Sequence, residues 1–324
     1  LNLMPDKIRT ETQLARLVGS TPLQVEITLL KTATYAPRHT SEEHLLTFYR
    51  TWDDVKDQKF DGLLVTGAPI ETLPFEDVDY WDELTKIFDW ATDHVYSTFY
   101  ICWGAQAALH HFYDVPKYEL PQKRFGVFEH EISHANTDLL RGFNDRFLVP
   151  VSRHTEVRRE DIPELTGLHV LAESPDSGVC LVEDVPRRAV FMFNHLEYDT
   201  STLREEYDRA YTCHEKARER YEQVRSRAGL ARTAYGMAYA LQRQDNCRDA
   251  LPLFDEARDA AEEVEDLSLL VEVFIATAHC RFEAGNVDVA IAYLEHAKDL
   301  AEDAGALSLE AAALGGLVEI HLAE

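Results

Sequence analysis

The sequence predicts an α/β domain built on a parallel sheet, followed by an all-α solenoid. Three observations carry that expectation. Apolar, strand-like runs alternate with helical patterns between Gln24 and His111, the order expected of parallel strands joined by helices. Near Thr200 the pattern becomes continuously helical. Beyond that point small residues recur at a fixed spacing: Ala217, Ala257 and Ala297 lie 40 residues apart, and so do Ala210, Ala250 and Ala290.

Taken in order, Gln24 to Leu30 alternates and then runs apolar, a strand preceded by the turn residues Ser20-Thr21-Pro22. Glu42 to Phe48 reads as a short helix. Asp61 to Gly67 is a buried strand closed by a glycine and the rigid Ala68-Pro69. Asp79 to His94 has helical periodicity, with Trp81, Leu84, Ile87, Phe88 and Trp90 on its apolar side, and Val95 to Cys102 is the next strand. Shorter strands follow at Gly126–Glu129, Leu168–Glu173, Gly178–Val182 and Ala189–Phe193, with Pro150 to Glu156 read as a polar loop. After Thr200, Leu267-Ser268-Leu269 returns as Leu307-Ser308-Leu309, and Asp259-x-Ala261-Glu262 as Asp299-x-Ala301-Glu302. Small residues at fixed places on paired helices specify a stack of helical hairpins. The pattern resembles tetratricopeptide repeats with a longer period.

Composition narrows the function classes. A chain of 324 residues accommodates two domains, and a hydrophobic fraction of 45% is ordinary for a globular protein. The 58 acidic against 32 basic residues give a net charge of −26, which argues against nucleic acid or an anionic membrane surface as partner. No apolar run reaches membrane-spanning length, and Leu1 to Thr12 has no signal-peptide pattern. The chain begins at Leu1 without an initiator Met, which reads as a processed or trimmed start. Cys102, Cys180, Cys213, Cys247 and Cys280 form no C-x-x-C pair. That fits a reducing cytoplasm and gives no expectation of a structural zinc site.

The chemistry centres on Ser97 to Gln106, where an aromatic-rich strand stops at Cys102. Gly104 is expected to allow a tight turn, and Ala105 to His111 to begin a helix. A cysteine at such a strand-to-helix turn is lifted off the sheet at the positive end of a helix dipole, which favours the thiolate. The backbone N–H of Trp103 is then placed to stabilise an oxyanion. Downstream, His195 and Glu197 lie two apart on what reads as a strand, so both point to one side. Thiol nucleophile, imidazole base and carboxylate orienter are the parts of an acyl-transfer triad.

These runs resemble the class I glutamine amidotransferase-like fold and, within it, the homoserine O-acyltransferase (homoserine transsuccinylase) family. The resemblance rests on Cys102-Trp103-Gly104-Ala105-Gln106 and His195-x-Glu197, together with Asn2-Leu3-Met4-Pro5, Thr10-Glu11-x-Gln13-Leu14 and Glu43-His44-Leu45. Thr66-Gly67-Ala68-Pro69, Leu140-Arg141-Gly142-Phe143, Ser152 to Val157 and Glu197-Tyr198-Asp199 extend it, so that it spans Leu1 to about Arg209. It implies Cys102 as the acylated residue, His195 as base and Glu197 as its partner. It also implies Lys123, Ser152 and Arg209 as substrate-binding residues, and Glu71 as the residue that selects the acyl group. Family members with Glu at that position use acetyl-CoA, and a fixed carboxylate there repels the distal carboxylate of a succinyl group. His195 stands between Asn194 and Leu196 where the resembled family has Gly and Pro.

The expected division is residues 1–205 as the catalytic domain and 206–324 as the tetratricopeptide-like domain. The expected reaction is acetyl transfer from acetyl-CoA to L-homoserine in methionine biosynthesis, in the cytoplasm, with no metal and no cofactor beyond the co-substrate. Serine as acceptor, succinyl-CoA as donor, or a protein-interaction scaffold with a degenerate acyltransferase half are the alternatives. The repeats are compatible with a homodimer contact or with a protein partner.

Overall fold

The sheet that carries Cys102 is mixed, with its parallel part at one end. The computed structural model describes residues 1–35, 40–134, 137–199 and 201–323. The chain divides into two compact units, Leu1–Asp199 and Thr200–Glu324, a few residues ahead of the boundary expected at 205; Thr200 itself lies outside the described residues.

In the first unit, α1 (Lys7–Val18), β1 (Leu29–Leu30), α2 (Glu42–Phe48), β2 (Tyr49–Arg50) and α3 (Trp52–Val55) precede β3 (Phe60–Val65). The helix α4 (Trp81–His94), strand β4 (Val95–Ile101) and helix α5 (Trp103–Tyr113) follow. Then come β5 (Tyr118–Ile132), β6 (Arg146–Glu156), β7 (Leu168–Ser174), β8 (Gly178–Asp184) and β9 (Ala189–Met192). The seven-stranded order is β3-β4-β9-β8-β7-β5-β6. Pairing is parallel for β3 with β4 and β4 with β9, and antiparallel from β9 to β6. Strand β4 is thus flanked on both sides by parallel neighbours and reads apolar, as buried parallel strands do. Val65, Leu84, Phe88, Trp103, Leu109 and Phe191 are fully enclosed in the core around it. Burying each such side chain contributes about 1.5–3 kcal/mol.

Three expectations need correction. The strand read over Gln24–Leu30 is reduced to Leu29–Leu30, which pair in parallel with Tyr49 and Arg50. Residues 24–28 are exposed, and without a ladder partner an alternating pattern does not hold a strand. Pro150 to Glu156, read as a loop, is the second half of β6. It pairs with β5 from Val127↔Pro150 to Arg124↔Arg153. Its polar residues hid it, because Ser152, Arg153 and Thr155 are buried for the sake of the site rather than solvated. Pro150 is tolerated because β6 is an edge strand, where a missing N–H costs no ladder bond. Third, Cys247 and Cys280 are joined as a disulfide, so the reading of the cysteines as a reduced set extends only to Cys102, Cys180 and Cys213.

The second unit consists of three helical hairpins: α6 (Thr202–Gln223) with α7 (Arg227–Gln242), α8 (Cys247–Glu263) with α9 (Leu267–Glu283), and α10 (Val287–Asp303) with α11 (Leu307–Ala323). The starts of α7, α9 and α11 keep the 40-residue spacing. Ala250, Ala257, Ala290 and Ala297 have no exposed surface, which is why a small residue recurs where neighbouring helices close on one another. No helix among the described residues is long and apolar enough to cross a membrane.

Gly104 shows how tightly α5 is seated. Its φ is not positive. What it provides is a close approach, since a Cβ there would lie 2.6 Å from the Thr66 carbonyl oxygen and 3.2 Å from that of Val65. Gly104→Ala is therefore expected to destabilise the fold by about 1–3 kcal/mol, the usual cost of overpacking, read as a lower urea midpoint at unchanged slope.

Candidate active site

Cys102 sits between β4 and α5 with φ 52° and ψ −119°. That conformation costs a non-glycine residue of order 1–3 kcal/mol and persists only where the surroundings impose it. Here its N–H donates to the Met192 carbonyl at 2.7 Å, extending the β4–β9 ladder by one bond. Trp103 opens α5, so its N–H is among the first four of the helix, which lack intrahelical acceptors. Gly67, at the end of β3, faces the same point. A Cβ on it would lie 3.1 Å from Cys102 Cβ and 3.6 Å from Sγ, so its absence leaves room beside the thiol. The tight turn expected of Gly104 is made by Cys102 itself.

His195 and Glu197 lie just beyond β9 in a turn, not on a strand as the sequence suggested. They nevertheless meet: Nδ1 of His195 is 2.7 Å from Oε1 of Glu197, and both residues are buried. The Tyr198 ring stacks on the imidazole with centroids 4.4 Å apart. Because β9 is the parallel neighbour of β4, with Ile101 opposite Met192, the two strand ends deliver imidazole and thiol to one place. Burial, the largest single influence, lowers the His195 pKa. The Glu197 carboxylate and the hydrogen-bonded Cys102 together outweigh it and hold the imidazole well above its ordinary range.

The turn is clamped from two sides. From α1, Arg16 reaches the Glu197 carbonyl at 3.2 Å and the Asp199 carboxylate at 3.0 Å, and Gln13 donates to Asp199 at 3.5 Å. From β6, the Pro150 carbonyl accepts from the His195 N–H at 2.9 Å. The preceding Asn194, wholly buried, accepts from Arg153 Nη1 at 3.1 Å and approaches His130 Nε2 at 2.9 Å through its amide nitrogen. Desolvation pushes His130 down to about 4, so the ring is neutral at pH 7. Nδ1 lies 3.0 Å from the Phe128 carbonyl, which requires the proton there. Nε2 is then the acceptor for both Asn194 and the Ser177 hydroxyl at 2.9 Å. Arg153 also donates to the carbonyls of Ser177 and Val179. Sequence reasoning missed Arg153 and His130, and noted Asn194 only as a departure beside His195. Arg153 lay inside a recognised run, but nothing in the pattern marked it as a buried cation.

The remaining expected residues divide by unit. On β5 and β6, Phe125 pairs with Ser152, and Lys123 lies two residues before Phe125, in the irregular stretch between Glu119 and Arg124. Lys123 Nζ stands 4.7 Å over the Phe125 ring. Further along β6, the backbone N–H of His154 donates to the Glu71 carboxylate at 2.6 Å, which fixes that charge beside the same strand. Lys117 donates to the carbonyls of Glu71 and Leu73, each at 2.5 Å, anchoring the loop. Arg209 belongs to the second unit, on α6, 3.6 Å from Glu206.

With this geometry in hand, comparison with known proteins is decisive. Residues 1–233 match the sequence model of the family described as homoserine O-succinyltransferase. The chain belongs to that family. It is 56% identical over 209 residues to a homoserine O-acetyltransferase of Hyphomonas neptunium and 57% identical over 209 residues to one of Acetivibrio thermocellus. Each match covers 64% of this chain and 68% of the relative. Among solved structures, a glutamine amidotransferase from Thermotoga maritima is similar at 14% identity and a TM-score of 0.39, covering 66% of this chain and 86% of that one.

Glu197→Gln removes the main influence that raises the His195 pKa and leaves the desolvation that lowers it. The imidazole of the variant is expected to titrate below that of the wild type, measured by the pH dependence of its ring carbon shifts in NMR. An unchanged titration would mean that Glu197 does not set the charge of His195.

Proposed function

We propose that the chain transfers an acetyl group from acetyl-CoA to the hydroxyl of L-homoserine through an acetyl-Cys102 intermediate. The observation that supports it most is the meeting of Cys102, His195 and Glu197 at two parallel strand ends, in a chain more than half identical over 209 residues to proteins named homoserine O-acetyltransferase. The thiolate of Cys102 attacks the thioester carbonyl, and the oxyanion is met by the Trp103 N–H. When the carbon–sulfur bond to CoA breaks, His195 gives its proton to the departing CoA thiolate. Acylation also removes the charge of Cys102, one of the influences that raise His195. The imidazole is thereby left neutral when the second half-reaction needs a base. It then takes the homoserine hydroxyl proton as that oxygen attacks the acyl carbon, which regenerates thiolate and imidazolium.

Lys123, Ser152 and Arg209 are assigned to the amino-acid acceptor, whose carboxylate calls for charged donors. Glu71 favours acetyl over succinyl because its carboxylate, tied to the His154 N–H, opposes a second carboxylate on the donor. In this reading residues 1–205 form the catalytic domain and 206–324 a tetratricopeptide-like domain whose ligand is a protein or a second copy. Acetyl-CoA enters as co-substrate with no further cofactor, and the reaction serves methionine biosynthesis in the cytoplasm.

Acetyl-CoA without acceptor is expected to add one acetyl mass to the intact protein, and Cys102→Ala to abolish the adduct. A wild-type chain that stays unmodified on long incubation would favour a scaffold without turnover. For the donor, Glu71→Gly is expected to raise the ratio of succinyl-CoA to acetyl-CoA turnover by roughly 1–3 kcal/mol of relative barrier, the scale of one like-charge contact at intermediate dielectric. An unmoved ratio would mean that Glu71 does not face the acyl group.

A further inference from the structure

In the second unit, one helix junction gathers three side chains of the kind that bind metal, one of them held in a disulfide. Cys247 is the first residue of α8, and Cys280 lies in the last turn of α9. Their sulfurs are bonded. His279 and Glu283 stand four apart on α9 and are both exposed, whereas Cys280 is fully buried. The ligand atoms of Cys247, His279 and Glu283 all lie within 4.8 Å of one another. Glu283 Oε2 is 3.3 Å from Cys247 Sγ, and Oε1 is 3.9 Å from His279 Nδ1. A disulfide sulfur carries no proton, so the carboxylate faces it with no hydrogen bond between them. The carboxylate is left open to a cation on that side.

The 40-residue period shows that the fold does not demand this chemistry. At the equivalents of Cys247 and Cys280, the preceding hairpin has Tyr207 and Ala240 and the following one Val287 and Ile320. In the first hairpin the junction is closed by a hydrogen bond from Arg243 Nε to the Tyr207 hydroxyl at 3.2 Å. In the third, Ile320 is buried without any polar partner to supply. Among the described residues, the middle junction alone of the three brings a cysteine sulfur, an imidazole and a carboxylate within 4.8 Å of one another.

We propose that this junction is a redox-gated site for a divalent metal of the zinc class, ligated by Cys247, His279 and Glu283 once the disulfide to Cys280 is reduced. A thiol reductant supplies two electrons and is itself oxidised to a disulfide, while two protons complete the Cys247 and Cys280 thiols. Binding of the cation then displaces the Cys247 proton and leaves one thiolate, one neutral imidazole and one carboxylate around it, with the fourth position taken by water. One sulfur, one nitrogen and one carboxylate oxygen suit a tetrahedral zinc or cobalt(II) ion and not the all-oxygen shells of magnesium or calcium. Cys247 at the N-terminus of a 17-residue helix is placed where the helix dipole favours its thiolate. Buried Cys280 acts by holding or releasing Cys247, and the exposed His279 and Glu283 are free to move the short distance that coordination requires. Sequence spacing alone conceals such a site, because one ligand comes from α8 and two from α9 with no C-x-x-C pair.

Cobalt(II) serves as the probe. The full-length chain is reduced with a phosphine, desalted without oxygen and titrated with cobalt(II) chloride. One equivalent is expected to produce thiolate-to-cobalt charge-transfer absorption with tetrahedral d–d bands, displaced by added zinc. The oxidised chain and the Cys247→Ser/Cys280→Ser variant are expected to lack these bands. His279→Ala and Glu283→Gln, which keep both cysteines, are expected to weaken cobalt binding by about tenfold or more each. If the reduced double-serine variant keeps the full signal, the metal sits at another thiol and the proposal fails. It fails equally if the reduced wild type gives no signal, or if His279→Ala and Glu283→Gln bind cobalt as tightly as wild type. The last two variants decide the matter should the double-serine chain not fold, with circular dichroism as the check.

Discussion

The left-handed backbone of Cys102 constrains much of what surrounds it. A residue with a Cβ takes φ 52° only when its neighbours leave no alternative, and three of them do so here. The Met192 carbonyl holds its N–H, α5 begins at the very next residue, and the helix is drawn against Thr66 so closely that position 104 accepts no side chain. The conformation lifts the thiol off the sheet and aims the first turn of α5 at whatever binds there. Strain and the placement of the thiol are one feature. Relaxing Cys102 into an ordinary conformation would move the sulfur and the N–H of Trp103 together.

The second half of the site depends on an edge strand that is polar where most strands are not. Strand β6 lends the Pro150 carbonyl to the His195 N–H and the His154 N–H to Glu71, with Ser152 between them. Edge strands leave one row of backbone groups unpaired, and this one uses the row to position His195 and Glu71 on a common frame. Burying the Arg153 guanidinium beside it would cost several kcal/mol if it were left without partners. Carbonyls of Ser177 and Val179 and the amide of Asn194 receive it instead. The neutral His130 then accepts from Asn194, so Asn194 links Arg153 to the turn that carries His195.

What was legible in the sequence follows the physics of each element. Strand β4 and Cys102 were readable because a buried parallel strand is nearly all apolar and ends abruptly. Glu197 was readable by its spacing from His195, although the turn, and not a strand, brings them to 2.7 Å. The polar half of β6 was not, because hydropathy patterns assume that polar residues seek water, and Ser152, Arg153 and Thr155 are buried instead. Nor was the strand over Gln24–Leu30 correctly bounded, since alternation reports a preference that only a paired neighbour can realise. The disulfide was invisible because its cysteines lie 33 residues apart on two helices; the packing of α8 on α9, and not any local spacing, brings their Cα atoms to 5.2 Å.

The two units satisfy their interiors by opposite means. Around Cys102 many buried polar groups are held by neighbours from distant parts of the chain, Arg153 by Ser177, Val179 and Asn194 and Gln106 by Thr155, so a single loss propagates. In the hairpins the same four alanines do the closing, at positions 250, 257, 290 and 297, and the junctions between paired helices are relieved of that duty. A tyrosine–arginine hydrogen bond, a disulfide and an apolar contact occupy equivalent positions without altering the 40-residue repeat. Residues released from packing in this way are the ones on which additional chemistry can accumulate, and Cys247, His279, Cys280 and Glu283 occupy such a released junction.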